Sequence, residues 1–217
     1  MIEITIKNIK DVMPSLSETQ GMQAMTLLNA AMQRFQISKN GFRTAAFLAQ
    51  IAHESCELRH MQESWGPTPR QRSYDPPGAL AEQLGNTESG DGFLYLGRGP
   101  IRIIGRTNYG LVSEELHVNL LDKPDLVSTP AYGFLASAWL WKSRGLNPLA
   151  DVKPGNVASM KDLIEGKSFV EITRKIDAST TALKKRREYY RRALTTLVGT
   201  VLPRQTAGAG VAGISVS

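Results

Sequence analysis

Two glutamates nine residues apart, Glu54 and Glu63, are the side chains of this sequence best placed to do chemistry. Glu54 lies inside FRTAAFLAQIAHESCEL, Phe42–Leu58, a stretch apolar on almost every side. A helix apolar all round is normally buried. A carboxylate in its middle is costly unless it has a partner or a task. Glu63 follows where that pattern breaks, in MQESWGPTP, a loop-like segment with Trp65, Gly66 and two prolines. One desolvated acid and one more solvated acid is the arrangement that glycosidic-bond hydrolysis needs. The plainer alternatives are a structural Glu54 paired with Arg98 or Arg186, and a Glu63 that is a surface acid of a loop. Downstream runs a Gly-rich segment, YLGRGPIRIIGRTNYG, Tyr95–Gly110.

The elements that must position these acids are mostly helical. A short helix over 5–13 stops at Pro14. Residues 17–37 carry Met22, Met25, Leu28, Met32 and Phe35 at three- and four-residue steps, the pattern of an amphipathic helix with a core-facing methionine stripe. Ser38-Lys39-Asn40-Gly41 ends that helix and opens the next. Residues 66–91 are rich in Pro, Gly, Arg, Asn and Ser, with one short helical pattern at 79–84, and long loops of this kind are often functional. The Gly-rich segment reads as a short strand, a hairpin or a turn opening a helix over 106–116. Pro130 suits the first turn of a helix carrying Tyr132, Leu135, Trp139 and Leu140. Residues 145–151 read as a connector, and 161–164, 168–176 and 180–197 as the last helices. Residues 1–203 are therefore expected to form one mainly α-helical catalytic domain, two lobes around a cleft, with a long central loop region and at most a small β-hairpin. The small, Gly-rich residues 204–217 are expected to be a flexible tail.

Composition excludes several classes. The 217 residues are 41% hydrophobic and 21% charged, as in an ordinary globular protein. There is no apolar run long enough for a transmembrane helix, and the first residues do not read as a secretory signal. Cys56 is the lone cysteine, and with His53, His60 and His117 as the other soft ligands no metal site and no cofactor is expected. Much of the net charge of +6 sits in LKKRREYYRRAL, 183–194. That run is either a surface for polyanions or the solvated face of a helix, with Tyr189, Tyr190, Leu194 and Leu197 facing inward.

AAFLAQIAHES followed by YLGRGP and GRTNYG resembles the family 19 glycoside hydrolases, the chitinase-like group of the lysozyme-like superfamily. The resemblance runs from about residue 13 to 197, and its motifs stand in the family's order. WGPTP without long loops is most similar to the compact phage endolysins of that family. The resemblance implies Glu54 as general acid, its pKa raised by burial among Phe47, Leu48, Ile51 and Leu58, and Glu63 as the base that activates water on the opposite face of the sugar. Inversion asks for carboxyl groups roughly 6.5–9.5 Å apart or more. Nine residues of continuous helix would separate the Cα atoms by about 13–14 Å, so the helix has to end before Glu63. It further implies that Arg98 helps order the acids, that Asn108 and Tyr109 line the sugar site, and that Arg186 is the family's arginine before a tyrosine pair. Trp65, Tyr74 and Tyr95 offer sugar-stacking faces or core packing, and His53 either contacts substrate, orients an acid or is a satisfied core histidine.

Three departures bear on function. Where many relatives carry Gln and then Ser or Thr after GRGP, this chain has Arg102 and Ile104, and Ile104 has no hydroxyl with which to hold water. Thr107 is a substitute in a different register. Arg102, a permanent cation, is suited to a carboxylate on a muramyl substrate. Asp177 keeps an acceptor where relatives have Asn before two glycines. The reading is an endolysin that cuts the β-1,4 bond between N-acetylmuramic acid and N-acetylglucosamine in peptidoglycan, by inversion, without metal or cofactor, as a monomer. It would wait in the host cytoplasm, reach the periplasm through a separate holin-type permeabilising protein, bind no nucleic acid, and have its basic C-terminal helix available to membranes. The alternatives are a chitinase of the same fold and a catalytically impaired wall-binding protein.

Overall fold

A computed structural model describes residues 1–152, 159–177 and 182–199. The expected tail, 204–217, lies outside the described residues. Among the described residues the secondary structure is almost wholly helical: α1 (Ile6–Val12), α2 (Glu18–Arg34), α3 (Gly41–Glu54), α4 (Pro69–Arg72), α5 (Ala79–Leu84), α6 (Asp91–Leu94), α7 (Arg106–Leu116), α8 (Pro130–Ser143), α9 (Leu146–Ala150), α10 (Met160–Glu165), α11 (Lys167–Ile176) and α12 (Leu183–Leu197). The Gly-rich segment makes the small hairpin: Arg98 pairs antiparallel with Ile103 on one side and with Gln62 on the other. Residues 145–151, expected to be a connector, hold the short helix α9, which buries Leu146 and Asn147.

Local chemistry sets the helix starts. Thr5, Ser17 and Thr68 each accept a hydrogen bond from the backbone N–H three residues on, with Asn8, Gln20 and Gln71 answering, and so form capping boxes. Asn40 caps α3. The core is built around α3, whose residues from Thr44 to Ala52 are all fully buried. Helix α3 packs along α12, antiparallel to it. A Cβ added at Gly41 would lie 2.9 Å from Val198 Cγ2 and 3.2 Å from the Leu197 carbonyl, so only glycine lets the start of α3 meet the end of α12. The opposite ends of the two helices then bring Glu54 beside Arg186. The methionine stripe of α2 is only partly inward: Met32 is buried, whereas Met22 is exposed, because the buried face runs through Gly21, Ala24, Leu28, Ala31 and Met32 and Met22 lies beside it.

Three buried or braced carboxylates lock this arrangement. Arg43 grips Asp151 with a two-pronged fork, Nε to Oδ1 and Nη2 to Oδ2, each at 2.6 Å. Asp91 accepts from the backbone of Thr87 and Glu88 and from the fork of Arg106. Glu57 accepts from Ser15 N–H and Oγ and from the Tyr189 hydroxyl. The Arg43 fork holds the Asp151 carboxyl below its usual value. For Asp91 and Glu57, burial pushes the value up, but the hydrogen bonds outweigh it and both lie low. His53 is lowered by its burial and then by the nearby Arg186. All four groups bind fewer protons folded than unfolded, so each stabilises above its unfolded pKa and loses that contribution as pH falls. Melting temperature should therefore decline gently below about pH 6.5, as His53 is forced to charge, and steeply below about pH 4 as the carboxylates protonate. A scan from pH 8 to pH 3 that stays flat down to pH 3 would refute this.

Candidate active site

Glu54 is the last residue of α3, at the negative end of the helix dipole, where a carboxylate is unfavourable without compensation. Arg186 supplies it. Gln50 and Glu54 stand one turn apart on the same face of α3, and both accept from the one guanidinium: Arg186 Nη1 donates to Gln50 Oε1 at 2.6 Å, and Nη2 pairs closely with Glu54 Oε1. The same Nη2 reaches Asp177 Oδ2 at 3.2 Å. Arg186 is only 1% exposed. Gln50 is itself held by its amide donating to Thr173 Oγ1 at 3.0 Å. Of the two partners that the sequence offered for Glu54, the fold selects Arg186.

Glu63 is reached by a sharp change of direction. The helix stops at Glu54, and Cys56, Glu57 and Leu58 all take left-handed backbone angles, φ 49°, 60° and 62°. Such residues each cost of order 1–3 kcal/mol and persist only where the surroundings enforce them. The Glu57 carboxylate, bonded to Ser15 and Tyr189, is the brace. The chain then runs beside the hairpin, where Glu63 N–H donates to the Gly97 carbonyl at 2.8 Å. Glu63 Oε1 accepts from Gly97 N–H at 2.6 Å and Oε2 from Gln71 Nε2 at 3.2 Å. Each carboxylate oxygen keeps a lone pair for a further donor. Gly97 is tight as well: a Cβ there would lie 3.1 Å from Glu63 Oε1.

Both acids line one open cleft of about 590 Å³, together with Ser64, Thr68, Arg70, Gln71, Tyr74, Ile101, Arg102, Ile104, Ile176 and Asp177. Their burial is the reverse of the sequence expectation. Glu63 as a residue is 7% exposed, whereas the Glu54 side chain keeps 16%. The apolar wrapping of α3 covers its middle, and Glu54 emerges at its end against a cation. Glu63, drawn from a polar loop, is folded under Gln71 and Gly97.

Of the other expected site residues, Arg102, Asp177 and Arg186 are at or directly behind the cleft. Four are elsewhere. Tyr95 is buried, its hydroxyl donating to the Leu121 carbonyl and its ring tilted against Tyr109 at 5.3 Å. Tyr109 is fully buried, donates to the Leu96 carbonyl, and has its hydroxyl pushed up by that burial. Arg98 touches neither acid. It donates to the Leu94 carbonyl and the Tyr109 hydroxyl and pairs with Asp125 at 2.8 Å, so it anchors the hairpin from behind. Asn108 turns back to the Ile104 carbonyl at 2.7 Å. In each case a nearby backbone carbonyl or ring takes up the polar group that the sequence offered to a sugar. His53 and Trp65 are half-buried and outside the cleft lining. Thr107 is exposed at the start of α7, also outside it.

Gln71 and Arg70 were not singled out by sequence reasoning. The signal was present: Thr68-Pro69-Arg70-Gln71 is a capping-box spacing with Pro at the first helical position. Its second use was not visible. Besides capping α4, Gln71 donates to the Ser64 carbonyl at 2.9 Å and to Glu63. Gln71→Ala is expected to cost about 1–3 kcal/mol of stability, the scale of a buried acceptor left without its donor, because Glu63 Oε2 loses Gln71 Nε2. A thermal melt unchanged from the wild type would refute that role.

A family model described as chitinase class I, Glyco_hydro_19, matches residues 30–167. Endochitinase 2 of Gossypium hirsutum is 33% identical over 102 residues, covering 45% of this chain and 34% of its own. Chitinase 2 of Oryza sativa subsp. japonica is 32% identical over 128 residues, covering 57% of this chain and 35% of its own. The chain thus spans about a third of the length of these curated relatives. The crystal structure of chitinase C from Streptomyces griseus HUT6037 superposes with a TM-score of 0.63 at 21% identity, covering 89% of this chain and 92% of that one. The helical architecture around the cleft is therefore shared with a solved chitinase fold.

Proposed function

The chain belongs to glycoside hydrolase family 19, and from that premise we propose that it hydrolyses the β-1,4 bond between N-acetylmuramic acid and N-acetylglucosamine in peptidoglycan, as an endolysin. The observation that carries the glycosidase reading is that Glu54 and Glu63 line one cleft from separate elements, each with its own set of donors. Glu54 gives its proton to the glycosidic oxygen as the bond to C1 breaks. Water attacks C1 from the other face and yields a proton to Glu63, so the product is inverted and one water is consumed. Glu54 and Asp177 draw on the same guanidinium, which fixes the acid at the cleft wall. Solvent exchange restores the starting protonation. The step uses two carboxylates and water.

The peptidoglycan reading is supported by two cations, Arg70 and Arg102, in the cleft lining. Neutral chitin offers them no charged partner, whereas the lactyl and peptide carboxylates of a muramyl strand do. Ile104, in the same wall, leaves water to be held by Glu63. In this reading the protein waits in the host cytoplasm for a holin-type permeabilising protein, and acts in the periplasm. The exposed Lys184, Lys185 and Arg191 of α12 are open to anionic outer-membrane surface. The second reading is a chitinase, favoured by the names of the relatives.

Arg102→Gln separates the two. It should reduce release of new reducing ends from purified sacculi about tenfold, the scale of a lost charge-assisted hydrogen bond, and leave cleavage of chitin oligomers unchanged. Equal activity of both proteins on sacculi, or turnover of chitin alone by the wild type, would favour the chitinase.

A further inference from the structure

A run of aromatic rings leads out of the cleft to an exposed end that the two-acid chemistry does not use. Tyr74 lines the cleft. Its ring lies 6.4 Å from that of Trp65, and Trp65 lies edge-on to Phe93 at 5.3 Å. Phe93 is 55% exposed and Leu94 beside it is exposed too. Single exposed apolar side chains are ordinary, so exposure alone would mean little.

The way this one is held is the informative part. Helix α6, which carries Phe93, has four residues and no side-chain cap, too few to form unaided. Tertiary bonds hold it. Asp75 Oδ1 accepts from both Gly90 N–H and Gly92 N–H at 2.9 Å. Asp91, 2% exposed, accepts from Thr87 and Glu88 N–H and from both prongs of Arg106. Gly92 rests on Tyr74 so closely that a Cβ would lie 2.9 Å from the Tyr74 Cβ. Two carboxylates and a glycine thus fix a one-turn helix against the cleft aromatic, yet the large apolar side chains it presents face solvent rather than core. A segment needed only as a connection would gain by burying Phe93.

We propose that Phe93, with Trp65 at its edge, is an outer subsite that stacks a sugar ring of the same glycan strand whose scissile bond lies at Glu54 and Glu63. The apolar C–H face of a pyranose fits the electron-rich face of an aromatic ring, and a ring already fixed in place loses little entropy on binding. Tyr74 is buried at 3% exposure, so its ring does not stack sugar but carries Trp65 and Phe93 on the wall of the cleft, and that attachment selects the strand as occupant. The inference rests on the glycosidase reading and adds to it a preference for long substrates.

The test compares Phe93→Ala and Phe93→Tyr with the wild type on polymeric glycan, sacculi or chitin, and on a short soluble oligomer. It also measures pelleting of the same variants with each insoluble polymer in a Glu54→Gln background. We expect Phe93→Ala to raise KM on the polymer, and to weaken pelleting, about threefold to tenfold. Short-oligomer turnover should be unchanged, and Phe93→Tyr should behave as wild type. If the wild type cleaves nothing but Phe93→Ala still weakens pelleting, the subsite stands and the glycosidase reading falls. If Phe93→Ala pellets and cleaves as wild type, the subsite is wrong. It is also wrong if turnover falls equally on polymer and oligomer, which would mark a structural role, or if Phe93→Tyr fails as Phe93→Ala does.

Discussion

Glu54→Gln should lose at least a hundredfold and up to about ten-thousandfold in kcat, the range that a positioned general acid contributes, while melting within a few degrees of the wild type. The substitution keeps the shape of the side chain and one acceptor oxygen, so the contact to Arg186 Nη2 survives as a neutral hydrogen bond. It removes the proton donor. KM should change little, since the Glu54 contribution is made mainly in the transition state. The assay is clearing of outer-membrane-permeabilised Gram-negative cells together with reducing-end release from sacculi and from chitin oligomers. Retained glycan cleavage by Glu54→Gln would remove Glu54 from the mechanism. Clearing without new reducing ends would move the activity to the basic face of α12.

Removal of Arg186 should be the most damaging single change to the fold as well as to the site. Its guanidinium is 1% exposed and serves Gln50, Glu54 and Asp177 together. Arg186→Met fills much of the volume but strands the carboxylates around it. Glu54 and Asp177 line the open cleft, where water answers part of their charge, so the loss is about 1–3 kcal/mol, the scale of polar groups left without their donor, which for a chain of this size lowers the melting temperature by roughly 2–12 °C. Arg186→Lys should recover only part of this, because a lysine cannot present the planar fork that reaches Gln50 and Glu54 at once. The double variant Arg186→Met, Glu54→Gln should be less destabilised than the sum of its parts, because removing the Glu54 charge relieves what Arg186→Met strands. Calorimetry giving strictly additive losses would show that Arg186 acts on the fold without acting through Glu54. An Arg186→Met protein as stable as wild type would overturn the account of the pair.

These two residues also mark the boundary between local and distant information. Helices at 79–84, 106–116 and from Pro130 onward could be read from punctuation alone, because a capping residue, a glycine or a proline acts on its neighbours within one turn. The family motifs likewise named Glu54, Glu63 and Arg186 as a set. Missing was any measure of what each side chain meets. Tyr95, Tyr109 and Arg98 sit in the most recognisable motif of the chain and still lie outside the cleft lining, because they are bonded to the carbonyls of Leu121, Leu96 and Leu94. Gln71 read as a loop residue and proved to be a brace for Glu63.

The helical class, most helix starts and the two glutamates that share the cleft were legible in the sequence, because periodicity, caps and motif order are properties of neighbouring residues. Only the packed chain shows which acid is buried, which arginine answers Glu54, and that Arg70 lines the cleft. Those outcomes depend on the packing of α3 along α12 and on a chain reversal held by Glu57. Glu54 meets Arg186 across 132 positions of sequence, and no local rule reaches that far.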